Sequence, residues 1–337
     1  MGKFVDLHSD QNAEPDPGGT LWPPKGSPAR TLALDNLAHT LIGIGVARSG
    51  LSRRFGAGTT ATLALASNLP DLDALWTLFD PWDRFMLRRT HSHAIVALPV
   101  LASLLAFALQ RRYPGQRWSV LFGLSALGIA LHLLFDLVNS FGVVLLWPFT
   151  LRRFELASIF IIDLFIWFAT LAPIVAGRWL SEERRLLAYR LSIASLGIYL
   201  ILCLAAHARA EAIVRNDLSR GNIHPRSIRV FPEPLGPQRF RVAALTEDGW
   251  VVSLCSVLRG IERREIVPTT PDAPRVAEVR SSPRGRALER FMAAPVWTLR
   301  PDGAVEVYDL RFVSLVIPRS GTFRVEFPPG SLEPVVR

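Results

Sequence analysis

The chain has 337 residues, half of them hydrophobic, and its mean hydropathy of +0.26 is high for a soluble protein. Its net charge of +9 would suit a nucleic-acid binder, but most basic residues lie in short links between apolar runs, where they act as membrane topology signals. The two cysteines, Cys203 and Cys255, are too few for a disulfide framework or a cysteine metal site. Composition therefore argues against a disulfide scaffold and a nucleic-acid partner, and it indicates a membrane protein.

The N-terminal part divides into a tail and an apolar region. Residues 1–31 are rich in Pro, Gly, Asp and Ser, which predicts a disordered tail without the apolar core of a signal peptide. Residues 32–208 hold successive apolar runs and are predicted to form a helical membrane domain. The last two runs, 156–177 and 186–208, have about the ~20 residues that a bilayer crossing requires, whereas the first two are shorter.

Polar residues of unusual type interrupt the first apolar runs. His39 lies in the first turns of the first run, and Asp71 and Asp73 follow Pro70, which ends the second run. Two adjacent carboxylates repel each other unless a cation or a proton lies between them. Asp73 alone would serve equally well as a helix cap, but the group at 68–73 as a whole favours a ligand role.

The next link carries two arginines and two histidines, Arg88, Arg89, His91 and His93. His91 and His93 cannot share a face within a regular helix, so at least one of them lies at the mouth of the helix that follows. Their position beside Thr90, at the depth of the aspartates, favours a site. The arginines could clamp a phosphate or equally anchor the chain at the membrane edge.

A pair of polar residues lies in the most apolar stretch, 118–149. His132 and Asp136 are four residues apart, which places both on one face of a helix. Such a pair is costly inside an apolar helix unless it is used, and it can hold one metal ion or bridge to a second. Asp163, in the following span, could support a ligating histidine or pair with an arginine.

From residue 209 onward the pattern changes to short alternating runs separated by turn signals at 247–249, 301–303 and 329–330. This predicts a hairpin-rich, antiparallel β domain over 209–337. It contains no evident cluster of His, Cys or acidic residues.

Alternation of the helices across the membrane brings the candidate ligands to one level. They are His39, Asp71, Asp73, His91, His93, His132 and Asp136. The β domain falls on the same side. Short arginine-rich links fall on the other side, which the positive-inside rule makes cytoplasmic. The site and the β domain are therefore predicted on the non-cytoplasmic side.

Seven His and Asp ligands suit zinc, with manganese or iron as alternatives, and exceed the four that one structural zinc takes. Two or more divalent ions are therefore expected. Such a centre activates water at neutral pH and stabilises both oxygens of a displacement at phosphorus.

The order of these motifs resembles the YdjM-type family of bacterial inner-membrane proteins regarded as metal-dependent hydrolases. The resemblance covers residues 34–175. The motifs that carry it are His39, NLPDLD at 68–73, RRTHSH at 88–93, HLLFDLVNSFG at 132–142, LLWPF at 145–149 and FIIDLF at 160–165. Ligands implied by the resemblance are His39, Asp71, Asp73, His91, His132 and Asp136. The order is also similar to that of zinc-dependent phospholipase C, which implies a phosphodiester substrate.

The sequence thus predicts an α-helical polytopic membrane bundle followed by a small antiparallel all-β domain, in the bacterial inner membrane. We expect a hydrolase that acts on a phosphoester through a metal-activated water. A lipid-linked phosphoester is one form that this substrate could take. Asp73, Asp136 and Arg89 are the predicted catalytic residues. One alternative is a non-catalytic membrane protein whose His/Asp cluster binds or conducts an ion or only ties the helices together. Another is a β binding module that the helices anchor.

Overall fold

The computed structural model of the protein describes residues 28–78, 82, 86–316 and 324–336. The tail predicted for residues 1–31 therefore lies almost wholly outside the described residues. The N-terminal half is helical, and its helices are α1 (Pro28–Val46), α2 (Ser52–Phe55), α3 (Thr59–Ala66), α4 (Ala97–Arg112), α5 (Trp118–Val138), α6 (Leu164–Ala176) and α7 (Glu182–Arg220). A 3₁₀ segment at Pro70–Leu78 follows α3.

Two helices of the described part of the chain, α5 and α7, are long and apolar enough to cross a membrane. α6 is equally apolar but has only 13 residues. Large apolar side chains on the outer faces of the helices are exposed, among them Leu104 and Phe107 on α4 and Leu191 and Ile201 on α7. These helices support a membrane location, and the full polytopic bundle stays a prediction.

Small residues allow α1, α3 and α5 to approach closely. A Cβ atom on Gly128 of α5 would lie 2.5 Å from the Cβ of Ala66 on α3, and one on Gly43 of α1 would lie 2.7 Å from Ser67 Oγ. The close contact places the second half of α5 beside the end of α3.

The arginine-rich links gather at one end of the helical unit, as helix alternation predicted. Gln116 Nε2 donates to the carbonyl oxygens of Phe55, at 2.6 Å, and of Ala57, at 2.8 Å. The Arg53 guanidinium lies 2.9 Å from Glu182 Oε1 at the start of α7. Three links that are distant in sequence are thereby joined.

The C-terminal part contains two antiparallel four-stranded sheets with sequential strand order. The first comprises β1 (Ser227–Pro232), β2 (Arg239–Thr246), β3 (Gly249–Ser256) and β4 (Gly260–Val267), and the second comprises β5 (Pro295–Leu299), β6 (Val305–Asp309), β7 (Arg324–Phe327) and β8 (Val335–Val336). The predicted turn at 247–249 joins β2 to β3, where Thr246 pairs with Gly249.

This part differs from the predicted all-β domain in two respects. Helices α8 (Pro274–Ser281) and α9 (Pro283–Phe291) lie between the sheets. α7 also continues through the predicted boundary at residue 208 to Arg220. Its last turns bury Ala210, Val214 and Leu218 against the first sheet, so the helix belongs to both parts of the molecule.

Candidate metal centre

Three separate segments bring four buried side chains together. α5 supplies His132 and Asp136, the 3₁₀ segment supplies Asp71, and the loop before α4 supplies His93. One ligand atom from each of the four lies within 4.8 Å of the others, and all four residues are buried. We refer to Asp71, His93, His132 and Asp136 as the four-ligand group.

The distances within the group suit a small divalent cation. His93 Nε2 lies 3.1 Å from His132 Nε2 and 3.1 Å from Asp136 Oδ2, and His132 Nε2 lies 3.3 Å from Asp136 Oδ2. Asp71 Oδ1 is 3.7 Å and 3.9 Å from the same two nitrogens. Ligand atoms held at tetrahedral zinc distances are about 3.3 Å from one another. The group therefore could hold a metal ion after small adjustments.

A backbone carbonyl fixes the tautomer of His132. The Nδ1 atom lies 2.8 Å from the carbonyl oxygen of Ser67 at the end of α3. Because a carbonyl can only accept, Nδ1 carries the proton and Nε2 presents its lone pair to the group. Metal-ligating histidines usually donate the N–H of their other ring nitrogen in this way.

His93 is oriented in the same way through Ser92 and Asp73. Its Nδ1 lies 3.0 Å from Ser92 Oγ, which donates to Asp73 Oδ2 at 3.0 Å, and Nδ1 is itself 3.4 Å from that carboxylate oxygen. Burial raises the pKa of Asp73, but its hydrogen bonds with His93 and with the Arg89 backbone N–H lower it below its usual value. An ionised Asp73 keeps the proton of His93 on Nδ1.

Two imidazole lone pairs and two carboxylate oxygens thus face one another in a buried space. Their partial charges repel, and within the described residues no hydrogen-bond donor satisfies Asp136 Oδ2. A cation removes both problems. The residues therefore fit a divalent metal ion.

The other oxygen of Asp136 is occupied by positively charged or donor groups. Arg89 lies 2.9 Å from Oδ1 and also donates to Asn139 Oδ1 at 3.2 Å. His39 Nε2 is 3.4 Å from the same Asp136 oxygen, and its ring lies against that of His132 with centroids 4.1 Å apart. Arg89 and His39 are therefore not members of the four-ligand group, but both contact its member Asp136.

The structure separates the seven predicted ligands into three sets. Asp71, His93, His132 and Asp136 form the group, while His39 and Asp73 adjoin it. His91 is exposed, and its ring stands edge-on to Trp147 at 4.8 Å.

The two predicted clamp arginines are both buried. The Arg88 guanidinium lies 3.7 Å from Asp71 Oδ1, and that of Arg89 is engaged with Asp136 and Asn139. Arg88 is therefore the arginine that borders the Asp71 side of the four-ligand group.

Two polar residues near the site, Asp163 and Asn139, make contacts that the sequence did not predict. Within the described residues, Asp163 makes a hydrogen bond or ion pair with neither a histidine nor an arginine. Its Oδ1 caps α6 by accepting from the backbone N–H groups of Phe165 and Ile166, and its Oδ2 accepts from the Tyr199 hydroxyl at 2.6 Å. Asn139 is absent from the sequence prediction, although it follows Asp136 by three residues and, as the first residue after α5, donates to the Asp136 carboxylate.

Buried arginines support the loops that carry the site. Arg153 donates to the carbonyl oxygen of Arg88 at 2.7 Å and to that of Gly142 at 3.3 Å. Burial lowers its pKa to about 9, and the charges of Arg311 and Arg89 add to that effect. Arg153 thus joins the loop before the site to the loop after α5.

Arg311 connects the β part to the same loops. It donates to the carbonyl oxygens of Phe141 and Phe291, each at 2.8 Å, and forms an ion pair with Asp309 at 2.9 Å. The N–H of Phe141 in turn donates to Asn139 Oδ1 at 2.8 Å. A continuous set of contacts therefore leads from the β part to Asp136.

A small cavity of about 30 Å³ lies beside the site. His39, Phe135, Asn139, Asp163 and Trp167 are among its lining residues. Its volume is enough for a water molecule, and its wall offers polar partners.

Comparison with known proteins gave one match. The sequence model described as YdjM inner membrane protein matches residues 34–210, which is 177 of the 337 residues. No curated protein and no solved structure matched the chain significantly. The matched region contains the whole four-ligand group and ends within α7, before β1.

Proposed function

The chain belongs to the YdjM inner membrane protein family, and from that premise we propose that it is a membrane-bound, metal-dependent hydrolase of phosphoesters. The observation that carries the proposal is the orientation of His93 and His132. Each Nδ1 has an acceptor, so both Nε2 lone pairs point toward the oxygens of Asp71 and Asp136. A merely structural histidine pair has no need of this arrangement.

The four-ligand group would hold the ion, and its two imidazoles and two carboxylates favour zinc, with manganese or iron as alternatives. A divalent cation supplies Lewis acidity, which lowers the pKa of water and polarises a phosphoryl oxygen. We propose one ion in this group, because the Arg89 guanidinium 2.9 Å from Asp136 Oδ1 disfavours a second cation at that oxygen. The sequence predicts two or more ions, and elemental analysis would then find at least two equivalents of metal per protein chain.

The surrounding residues have separable tasks in this proposal. Asp73 keeps His93 in the ligating tautomer, and Arg89 with Asn139 fixes the Asp136 carboxylate. Arg88, 3.7 Å from Asp71, is the cation best placed to meet a phosphate oxygen. His39 borders both Asp136 and the small cavity, so it can accept a proton from a water held there.

A lipid-linked phosphoester is the substrate class we favour. The site lies near the end of α5, a helix apolar enough to cross the bilayer, and beside helices whose outer apolar side chains are exposed. A substrate with a hydrocarbon chain can reach such a site from the membrane. By the positive-inside rule we place the site and the β part on the non-cytoplasmic side.

Metal content is the first test. Purified full-length protein should contain about one equivalent of zinc or manganese by elemental analysis, and His93→Ala should lose it. His91→Ala is the matched control, because His91 lies two residues away and is exposed. Loss of metal in both variants, or in neither, would contradict the assignment.

Turnover is the second test. The metal-loaded protein should hydrolyse at least one member of a panel of phosphomonoesters, phosphodiesters and phospholipids, and chelation should abolish the activity. Tight metal binding without turnover would favour the ion-binding alternative. The Arg89–Asp136 ion pair supports the helix-tying alternative, which predicts no bound metal and a lower thermal stability of His93→Ala.

A further inference from the structure

A polar cavity lies at the arginine-rich end of the helical unit, away from the metal centre. It has a volume of about 360 Å³ and is bounded by the turn after α1, by α2, by the start of α3 and by the start of α7. Thr60, at the first turn of α3, lines it, whereas Ser67 at the other end of α3 contacts His132. Its size is within the range of small-molecule sites.

The cavity carries excess positive charge. Arg48, Arg53 and Arg185 line it together with one carboxylate, Glu182. Arg53 pairs with Glu182 at 2.9 Å. Among the described residues, neither Arg48 nor Arg185 has a carboxylate within ion-pair distance, so two guanidinium groups remain available to an anion.

Hydroxyl groups complete the lining. Ser52 Oγ and Thr60 Oγ1 lie 3.0 Å apart, and the hydroxyl of Tyr189 accepts from Arg48 NH1 at 2.9 Å. The Tyr189 side chain is almost fully buried, which gives Arg48 a fixed partner. Guanidinium and hydroxyl donors around one space are the groups that bind a phosphate.

The cavity lies at the boundary between a polar and an apolar part of the protein surface. Trp179, in the turn before α7, is 77 % exposed, as expected of an interfacial tryptophan. Leu187 and Leu191, just beyond the cavity on α7, are exposed apolar residues on a helix able to cross the membrane. A molecule bound here can have its phosphate in the cavity and its hydrocarbon against α7.

We propose that this cavity is a binding site for the phosphate of an anionic phospholipid, contacted by Arg48, Arg185, Ser52 and Thr60. The site is distinct from the metal centre and does not depend on the hydrolase proposal. A bound lipid would hold α1, α3 and α7 together at this end.

The test uses the delipidated full-length protein in detergent, with phosphatidylglycerol and phosphatidylcholine titrated separately and bound lipid counted by native mass spectrometry. Wild-type protein should prefer phosphatidylglycerol. The double variant R48Q/R185Q should weaken that binding about 25-fold, since one arginine near an anionic lipid contributes about fivefold. R178Q/R184Q is the matched control, because it makes the same charge change close to Arg185 in sequence but outside the cavity lining.

The outcomes are distinguishable. Equal weakening in R178Q/R184Q, or equal binding of the two lipids by the wild type, overturns the proposal. Glycerol 3-phosphate that binds as tightly as phosphatidylglycerol and displaces it would assign the cavity to a soluble phosphate ester and overturn the lipid source. If R48Q/R185Q does not fold, S52A/T60V removes the hydroxyls without a change of charge, and unchanged phosphatidylglycerol binding in that variant would also overturn the proposal.

Discussion

The orientation of His93 depends on an acid that is itself outside the four-ligand group. Asp73 accepts from Ser92 Oγ at 3.0 Å and from the backbone N–H of Arg89 at 2.9 Å, and its carboxylate is 3.4 Å from His93 Nδ1. A neutral amide at this position can turn its NH₂ group toward Ser92 and release His93. In the proposed metal centre, Asp73 is therefore a positioning residue.

We predict that Asp73→Asn weakens metal binding 10- to 100-fold, the usual cost of losing the partner of a ligating histidine. Competition with a chromogenic chelator would measure the affinity. Asp248→Asn, in the exposed β2–β3 turn, is the control and should bind metal as the wild type does. An unchanged affinity in Asp73→Asn would show that Ser92 alone orients the ring.

Individual site residues could be predicted from the sequence where helical geometry decides. The four-residue spacing of His132 and Asp136 is enough to place them together. The sequence prediction counts both His91 and His93 as ligands, and the resemblance implies His91, but only His93 joins the group, because the backbone of an irregular loop decides which ring turns inward. Neither of the two roles considered for Asp163 matches its contacts in the described structure, since the start of α6 and the Tyr199 hydroxyl satisfy its carboxylate.

At the scale of elements, the contact between α3 and α5 sets the geometry of the site. Gly128 lies one turn before His132, where the two helices nearly touch. We predict that Gly128→Ala separates the helices and destabilises the protein by about 1–3 kcal/mol, as overpacking does. Metal affinity should fall as well, because His132 moves away from the Ser67 carbonyl.

Gly123→Ala provides the control for that experiment. Gly123 is in the same helix, but nothing lies within 4 Å of a Cβ atom added there. Higher helix propensity should leave this variant as stable as the wild type or up to about 1 kcal/mol more stable. Similar melting temperatures for the two variants would contradict a tight α3–α5 contact.

The helices of the metal centre were easier to predict than those of the C-terminal part. α5 is a long apolar run, and its span of 118–138 begins at the first residue of the apolar stretch 118–149. α8 and α9 are short and polar, and their signal is a proline at the first helical position of each. The extension of α7 follows from Ala210, Val214 and Leu218, whose four-residue spacing forms a narrow apolar stripe.

At the scale of the whole molecule, Arg311 joins the β part to the loops of the site. We predict that Arg311→Ala destabilises the protein by about 3–5 kcal/mol, because Asp309 and Glu155 lose a buried cation. Cys255 can report the change in a Cys203→Ser background. Its thiol is buried and its pKa is raised to about 11, so native protein should react slowly with iodoacetamide at pH 8.

Faster Cys255 labelling and weaker metal binding in Arg311→Ala would together support coupling of the two parts. Arg324→Ala is the control, since the Arg324–Glu306 pair is half exposed and such pairs contribute about 0–1 kcal/mol. Faster labelling with unchanged metal binding would restrict the role of Arg311 to the β part.

The number of membrane crossings is a further property of the whole molecule. We predict that α4 is embedded although it has only 16 residues, because Leu104 is 61 % exposed on an apolar face. In proteoliposomes, Leu104→Cys should resist a membrane-impermeant maleimide, whereas Leu258→Cys, in an exposed turn of the β part, should react quickly when that turn faces the reagent. Equal labelling of both in sealed and detergent-opened vesicles would contradict the embedding of α4.

α7 runs without interruption for 39 residues, from the polar cavity at the arginine-rich end to the first sheet. At 1.5 Å per residue this is a rod of about 58 Å, longer than a bilayer is thick. The helix is unbroken and the first sheet packs on its last turns, so this sheet is held at a fixed distance from the cavity at the other end. In the proposed hydrolase, a lipid-linked substrate would reach the site by moving along the membrane, and the depth of its scissile bond would decide whether it meets the candidate metal centre.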